Sequence, residues 1–259
     1  MNKGICIFTY IPVRKEPSEA SEMVSQILFG ETYKILEQNQ KWQYIELDFD
    51  GYKGWIDYKL SYIIDNQKLS WIAGFKNVTV NIPICKARET NKSGLFHILA
   101  GSNIYDLHGK NFSLFGISYQ LEELLLTGKQ SNINKVIDSA SKLFINTPYL
   151  WGGRSAFGID CSGFVQTVFK IVGINLPRDA NQQVTRGIEV NSLSDTIPGD
   201  VAFFKNEEGK IVHTGILVSG NEIIHSSGYV HIAPIDEKGI LNSETQIYTH
   251  ELAVVKRMI

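Results

Sequence analysis

Residues 11–30 return in constant register as residues 82–101. Ile11-Pro12-Val13 reappears as Ile82-Pro83-Ile84, Lys15 as Lys86, and Ile27-Leu28-Phe29-Gly30 as Ile98-Leu99-Ala100-Gly101, each pair 71 positions apart. A fixed offset held over such a stretch favours a duplicated module. Around the first copy, short apolar runs at 24–29, 33–36 and 42–47 are broken by Gly30-Glu31, Asn39-Gln40 and Asp50-Gly51. Short strands separated by turn residues at this spacing fold as small antiparallel barrels. The first 118 residues are therefore expected to hold two of them.

The texture changes near residue 119. The Leu-rich stretch 119–127 reads as a short linker helix before Gly128. In 132–145, Ile133, Val136, Ile137, Ala140 and Phe144 recur at helical spacing, and Thr147-Pro148 ends the run. A second helix is expected over 161–172, with Phe164, Val165, Val168, Phe169 and Val172 on one stripe and Gly173 as its stop. Strand-like runs follow at 200–204, 211–219, 222–226 and 252–258, the first two joined as a hairpin at Glu208-Gly209. Helices followed by antiparallel strands make an α+β pattern. Three domains are expected, at 1–66, 67–125 and 126–259.

Composition excludes some classes of function. A hydrophobic fraction of 43% over 259 residues is enough for buried cores. Lys plus Arg number 25 against 27 Asp plus Glu, a net charge of −2, which speaks against a nucleic-acid partner held through its phosphates. No apolar run reaches the roughly 18 residues that cross a bilayer, so no membrane partner is expected. The apolar part of the first fifteen residues is too short and broken for a signal-peptide core. The expected location is cytoplasmic if Met1 is the natural start, and periplasmic or extracellular if a signal peptide has been removed. Three cysteines, Cys6, Cys85 and Cys161, suggest no disulfide framework and leave at least one thiol free.

Cys161 is the chemical focus. It follows Tyr149-Leu150-Trp151-Gly152-Gly153 and sits in Gly158-Ile159-Asp160-Cys161-Ser162-Gly163-Phe164. The glycines let the chain turn tightly into a helix whose N-terminus carries the thiol. Unpaired N–H groups there favour a thiolate and can bind an oxyanion. A thiol nucleophile needs a base, and the base an orienting partner. His213 lies in a strand pattern and shares a face with Gly215 and Leu217. Twelve residues on, His225 falls on the next strand, where the two imidazoles can stand side by side. Cys6 and Cys85, in apolar strand settings, read as buried and inert.

Zinc on Cys161, His213 and His225 is the rival chemistry, but no closely spaced ligand pair supports it. His97, His108, His231 and His250 show no partner pattern and read as structural or surface residues.

Taken together, Tyr149–Gly153 as spelled above, Asp160-Cys161-Ser162-Gly163-Phe164, Leu176-Pro177-Arg178-Asp179-Ala180, Pro198-Gly199-Asp200-Val201 and His213-Thr214-Gly215-Ile216 resemble the NlpC/p60 family over about residues 130–259. These are papain-like cysteine peptidases of the bacterial cell wall. The resemblance implies Cys161 as nucleophile, His213 as general base, His225 as the orienting residue and Tyr149 near the thiol or oxyanion. Val13-Arg14 and Gly54-Trp55-Ile56 are similar to bacterial SH3 domains. Two such barrels before this domain resemble γ-D-glutamyl-L-diamino acid endopeptidases, which act on peptidoglycan-derived peptides with a free N-terminal L-Ala. The implied architecture is an α+β papain-like catalytic domain behind two SH3-like β-barrels, acting as a monomer without metal or organic cofactor.

For such a substrate, Arg178 is the expected partner of the D-Glu α-carboxylate. Asp160, Ser162 and Asp179 are expected near the L-Ala ammonium, as are Glu22 and Tyr58 from the first barrel. Asp160 as a helix cap and Asp179 as the start of the next helix are the local alternatives. The same residues also admit a cell-wall peptide-binding protein, or an amidase or acyltransferase with the same thiol chemistry.

Overall fold

The computed structural model describes residues 2–125 and 133–258, the side chains of residues 133, 135, 136 and 140 aside. The chain divides into two compact units, Met1–Lys129 and Gln130–Ile259.

The first unit opens with β1 (Lys3–Ile5), β2 (Tyr10–Arg14), β3 (Met23–Leu28), β4 (Thr32–Gln38), β5 (Trp42–Leu47), β6 (Lys53–Asp57) and β7 (Tyr62–Ile64). They form one antiparallel sheet in the order β3-β2-β6-β5-β4-β1-β7. After helix α1 (Asn66–Ala73), capped by Asp65, come β8 (Val78–Thr79), β9 (Ile84–Glu89), β10 (Leu95–Leu99), β11 (Asn103–Ile104), β12 (Asn111–Leu114) and β13 (Ile117–Leu121). The repeat in the sequence is a repeat in pairing. β2 pairs with β3 and β6, β5 with β6, and β1 with β4; β9 pairs with β10 and β13, β12 with β13, and β8 with β11. The second copy lacks the β4–β5 pairing of the first and splits into a four-stranded and a two-stranded sheet.

The two copies share a core. Ile11, Val13, Ile27, Ile45 and Ile56 fill the first, whereas Ile5, Phe29 and Ile64 of the first copy pack with Val80, Ile98, Phe112, Tyr119 and Leu121 of the second. The linker helix expected at 119–127 is corrected over its described residues, since 119–121 end β13 and 122–125 form no helix. Tyr119 and Leu121 are buried while Gln120 is exposed, a period-two pattern that ends β13. Residues 126–127, Gly128 and the expected helix start at 132 lie outside the described residues.

The second unit holds α2 (Ile133–Lys142), a small hairpin of β14 (Arg154–Ser155) and β15 (Gly158–Ile159), α3 (Cys161–Ile171) and α4 (Ala180–Gln183). The strands β16 (Ile188–Val190), β17 (Val201–Lys205), β18 (Ile211–Ser219), β19 (Glu222–Ser227), β20 (Tyr229–Asp236), β21 (Gly239–Leu241) and β22 (Tyr248–Arg257) complete it. Their order is β16-β22-β17-β18-β19-β20-β21, and β21 also pairs with β22, so six strands close on themselves. Ala202, Phe204, Leu217, Ile223, Ile235, Ile240 and Val255 pack together in one core. Helix α3 is buried from Cys161 to Lys170 and packs on β18 and β19, with Phe164 edge-on to Phe144 at 6.0 Å between ring centres.

Gly30, whose motif recurs at Gly101, tests the shared core of the first unit. Its φ is +75°, and a Cβ there would stand 2.0 Å from the carbonyl oxygen of Asn103. Gly51 has φ +73° but open space around it. Gly51→Ala carries only left-handed strain, about 1–2 kcal/mol. Gly30→Ala adds a backbone clash and is expected to cost clearly more in urea unfolding; equal losses would contradict the shared packing.

Candidate active site

Asp160 starts the site. Its carboxylate caps α3 by accepting the Gly163 N–H at 2.7 Å, and its other oxygen accepts the Gly152 N–H at 2.8 Å. A Cβ on Gly163 would stand 2.2 Å from the Gly153 carbonyl oxygen, so glycine lets the helix start press against the turn before it. Cys161 is thereby fixed as the first residue of α3, 7% exposed.

The residues on either side of Cys161 are tied to one guanidinium. Arg178 donates to both carboxylate oxygens of Asp160, at 3.0 and 2.5 Å, and to the Ser162 hydroxyl at 2.9 Å. Both charges are buried. The fork geometry of arginine suits this bidentate contact, which a lysine would not reproduce.

The two histidines meet across adjacent strands. In the β18–β19 register Gly215 lies opposite His225, and His213 is two residues along the same face. Diagonal neighbours of this kind come within reach of ring side chains. A Cβ on Gly215 would stand 2.8 Å from the His225 Cβ, so the glycine clears the way for the second ring. The result is a 2.9 Å hydrogen bond between His213 Nε2 and His225 Nδ1. His225 Nε2 is buried without a hydrogen-bond partner among the described residues. With Nε2–H of His213 donating to His225, the Nδ1 of His213 keeps a lone pair, the form a base needs.

Burial sets the charge states. It pushes the Cys161 thiol up to about 12, the Asp160 charge adding to the rise, while the backbone N–H groups of Thr214 and Ser162 and the charge of Arg178 oppose it. Burial holds His213 well below its usual range, with His250, His225 and His231 adding to the effect. It takes His225 down to about 3. Burial therefore works against charge on both the Cys161 thiol and the His213 imidazole. Tyr149 is half-buried, its phenol pushed up by burial and by the neighbouring charges of Cys161 and Asp160.

The structure thus brings together Asp160, Cys161, Ser162 and Arg178, joins His213 to His225, and sets Tyr149 within electrostatic reach of the thiol. Asp179 occupies the N-cap position of the short α4. Glu22 and Tyr58 belong to the first unit, where Glu22 is exposed and pairs with Lys15 at 3.3 Å and Tyr58 is 42% exposed. Cys6 and Cys85 are fully buried in that unit, and burial raises both thiols.

Two of the four histidines read from the sequence as structural or surface residues join the His213–His225 pair. His250 stacks on His213 with ring centres 4.1 Å apart, and His231 lies 4.6 Å from His225. The signal for His231 was the turn at Gly228, which sets His231 opposite His225 in the β19–β20 hairpin. For His250 it was the strand period, since β22 begins before the run that starts at Leu252.

A thiol at a helix start, an imidazole on a strand that the helix packs against and a second imidazole bonded to the first are the elements a cysteine peptidase of papain-like fold uses. The NlpC/P60 family profile matches residues 146–249, and that of the bacterial dipeptidyl-peptidase Sh3 domain matches 13–59. A γ-D-glutamyl-L-lysine dipeptidyl-peptidase of Bacillus subtilis (strain 168) is 31% identical over 252 residues, covering 90% of this chain and 80% of the relative. The chain belongs to the NlpC/P60 family. A crystal structure of an NlpC/P60 family protein from Bacillus cereus ATCC 10987 superposes with a TM-score of 0.84 at 18% identity, covering 99% of both chains. An NlpC/P60 endopeptidase from Photobacterium damselae subsp. piscicida gives 0.73, also at 18%, over 97% of this chain and 70% of that one. At such identity these two structures speak for the fold.

Two outcomes follow. Arg178→Ala strands a buried carboxylate beside the nucleophile and is expected to cost about 3–5 kcal/mol in chemical unfolding; a loss within a few tenths would mean that Asp160 does not need it. His225 has a folded pKa of about 3, below the 6.5 of an unconstrained imidazole. The unfolded chain therefore takes up protons first as pH falls, so the stability that His225 supports is complete above about 6.5 and is lost below it. His225→Asn is expected to show a smaller stability loss than the wild type between pH 7 and about 4.5; parallel curves would contradict a neutral buried ring.

Proposed function

We propose that this peptidase hydrolyses the γ-D-glutamyl-L-diamino acid bond of peptidoglycan-derived peptides that carry a free N-terminal L-Ala, releasing L-Ala-D-Glu. The observation that carries the reading is the alignment of 90% of the chain with a relative named for γ-D-glutamyl-L-lysine dipeptidyl-peptidase activity. It spans both units of the chain, not the catalytic unit alone.

In the proposed reaction Cys161 Sγ attacks the side-chain carbonyl of D-Glu as His213 Nδ1 takes the thiol proton. The Sγ–C bond forms, and the carbonyl oxygen becomes an oxyanion beside the N-terminus of α3 and the Tyr149 hydroxyl. The C–N bond then breaks, with His213 returning the proton to the leaving amine. Water, deprotonated by the same imidazole, cleaves the thioester. Thiol chemistry is indifferent to whether the amide is α- or γ-linked, so selectivity rests on the groups that hold the D-Glu carboxylate and the L-Ala ammonium. Arg178 is the proposed cation for the carboxylate. Asp160 is the proposed anion for the ammonium, with Ser162 beside it.

Mass spectrometry of L-Ala-γ-D-Glu-L-Lys digests is expected to show L-Ala-D-Glu with the wild type and no turnover with Cys161→Ala. The N-acetylated peptide is expected to resist cleavage, since acetylation removes the charge and adds bulk. Cleavage at another bond, or equal cleavage of both peptides, would overturn the assignment. Because burial keeps His213 unprotonated below its usual range, the acid limb of kcat/KM is expected below pH 6.5.

A further inference from the structure

The imidazole cluster extends beyond the pair that the reaction uses. One nitrogen each from His213, His225 and His250 can be chosen so that all lie within 4.8 Å of one another. The three rings come from β18, β19 and β22. His250 Nδ1 is engaged with the Thr249 hydroxyl at 2.9 Å, which leaves its Nε2 available. His225 faces His213 with Nδ1, 2.9 Å from His213 Nε2, so Nδ1 is the nitrogen it can offer to an ion shared with that ring.

We propose that His213, His225 and His250 form a binding site for a divalent transition-metal ion, with Zn²⁺ as the type case, and that its occupation reversibly stops the peptidase. Three imidazoles without a carboxylate suit zinc or its neighbours and not magnesium or calcium. Zinc holds imidazole nitrogen at about 2.0–2.1 Å, so modest ring rotations bring the three nitrogens onto one ion, with the fourth position open to water. The inhibitory consequence rests on His213 being the general base. An imidazole that gives one lone pair to a metal carries its proton on the other nitrogen, so it has no lone pair left for the Cys161 proton. A His213 nitrogen on the metal also gives up its bond to His225.

The test is calorimetric titration of zinc chloride into the Cys161→Ala chain, where the thiol cannot bind the ion. One ion per chain is expected, with affinity at least tenfold weaker when His250→Phe or His250→Gln is added. Phe keeps a ring against His213 and Gln keeps a polar side chain, so whichever variant retains the wild-type circular dichroism decides the result. In the unaltered chain, zinc is expected to inhibit turnover and a chelator to restore it. The proposal is overturned if Cys161→Ala binds no zinc, or if binding is indifferent to His250, which would place the ion on the thiol or elsewhere. The binding measurement needs no substrate, so it stands even if the peptide assignment fails.

Discussion

The 2.9 Å hydrogen bond between His213 and His225 is the contact on which the site depends. It joins two buried rings that both favour the neutral state. A carboxylate in the place of His225 would stabilise an imidazolium on His213; a neutral ring orients the base and gives far less to the charge. Burial thus opposes an ion pair between Cys161 and His213. In the proposed reaction the electrostatic help comes where negative charge develops, at the backbone N–H groups of the α3 start.

A second constraint holds the nucleophile. Asp160 accepts two backbone N–H groups and two guanidinium contacts, so its charge is satisfied without water. Arg178 spends donors on Asp160 and on Ser162, the residues immediately before and after Cys161. A buried ion pair of this kind is a weak source of net stability, because desolvation offsets most of the attraction. Its value lies in geometry: it locks the turn that delivers the thiol. It also makes the proposed substrate contacts of Asp160 and Arg178 additions to a network already formed.

Much of this was legible locally. The 71-residue offset corresponds to matching strand pairings, because short alternating runs and turn residues specify hairpins with little help from distant contacts. The strand period of 211–219 set His213 and Gly215 on one face, and the structure adds that Gly215 lies opposite His225. The glycines around Cys161 announced a tight approach, which the Gly153–Gly163 contact makes concrete. Other features depend on partners far along the chain. His250 reaches His213 because β22 pairs with β17, a match no local pattern encodes. The Leu-rich stretch after 119 looked helical, yet its first residues alternate into a core partly supplied by β1, β7 and the turn after β3. That Arg178 is held by Asp160, 18 residues away, was likewise not legible, because a motif gives spacing and not the buried pairing.

The tautomer of His213 carries the account, and nitrogen-15 NMR of histidine-labelled protein reads it directly. The account predicts that near pH 7 His213 carries its proton on Nε2, with Nδ1 showing the shift of an unprotonated ring nitrogen, and that His225 is neutral. A proton on Nδ1, or an imidazolium paired with a Cys161 thiolate at rest, would contradict it.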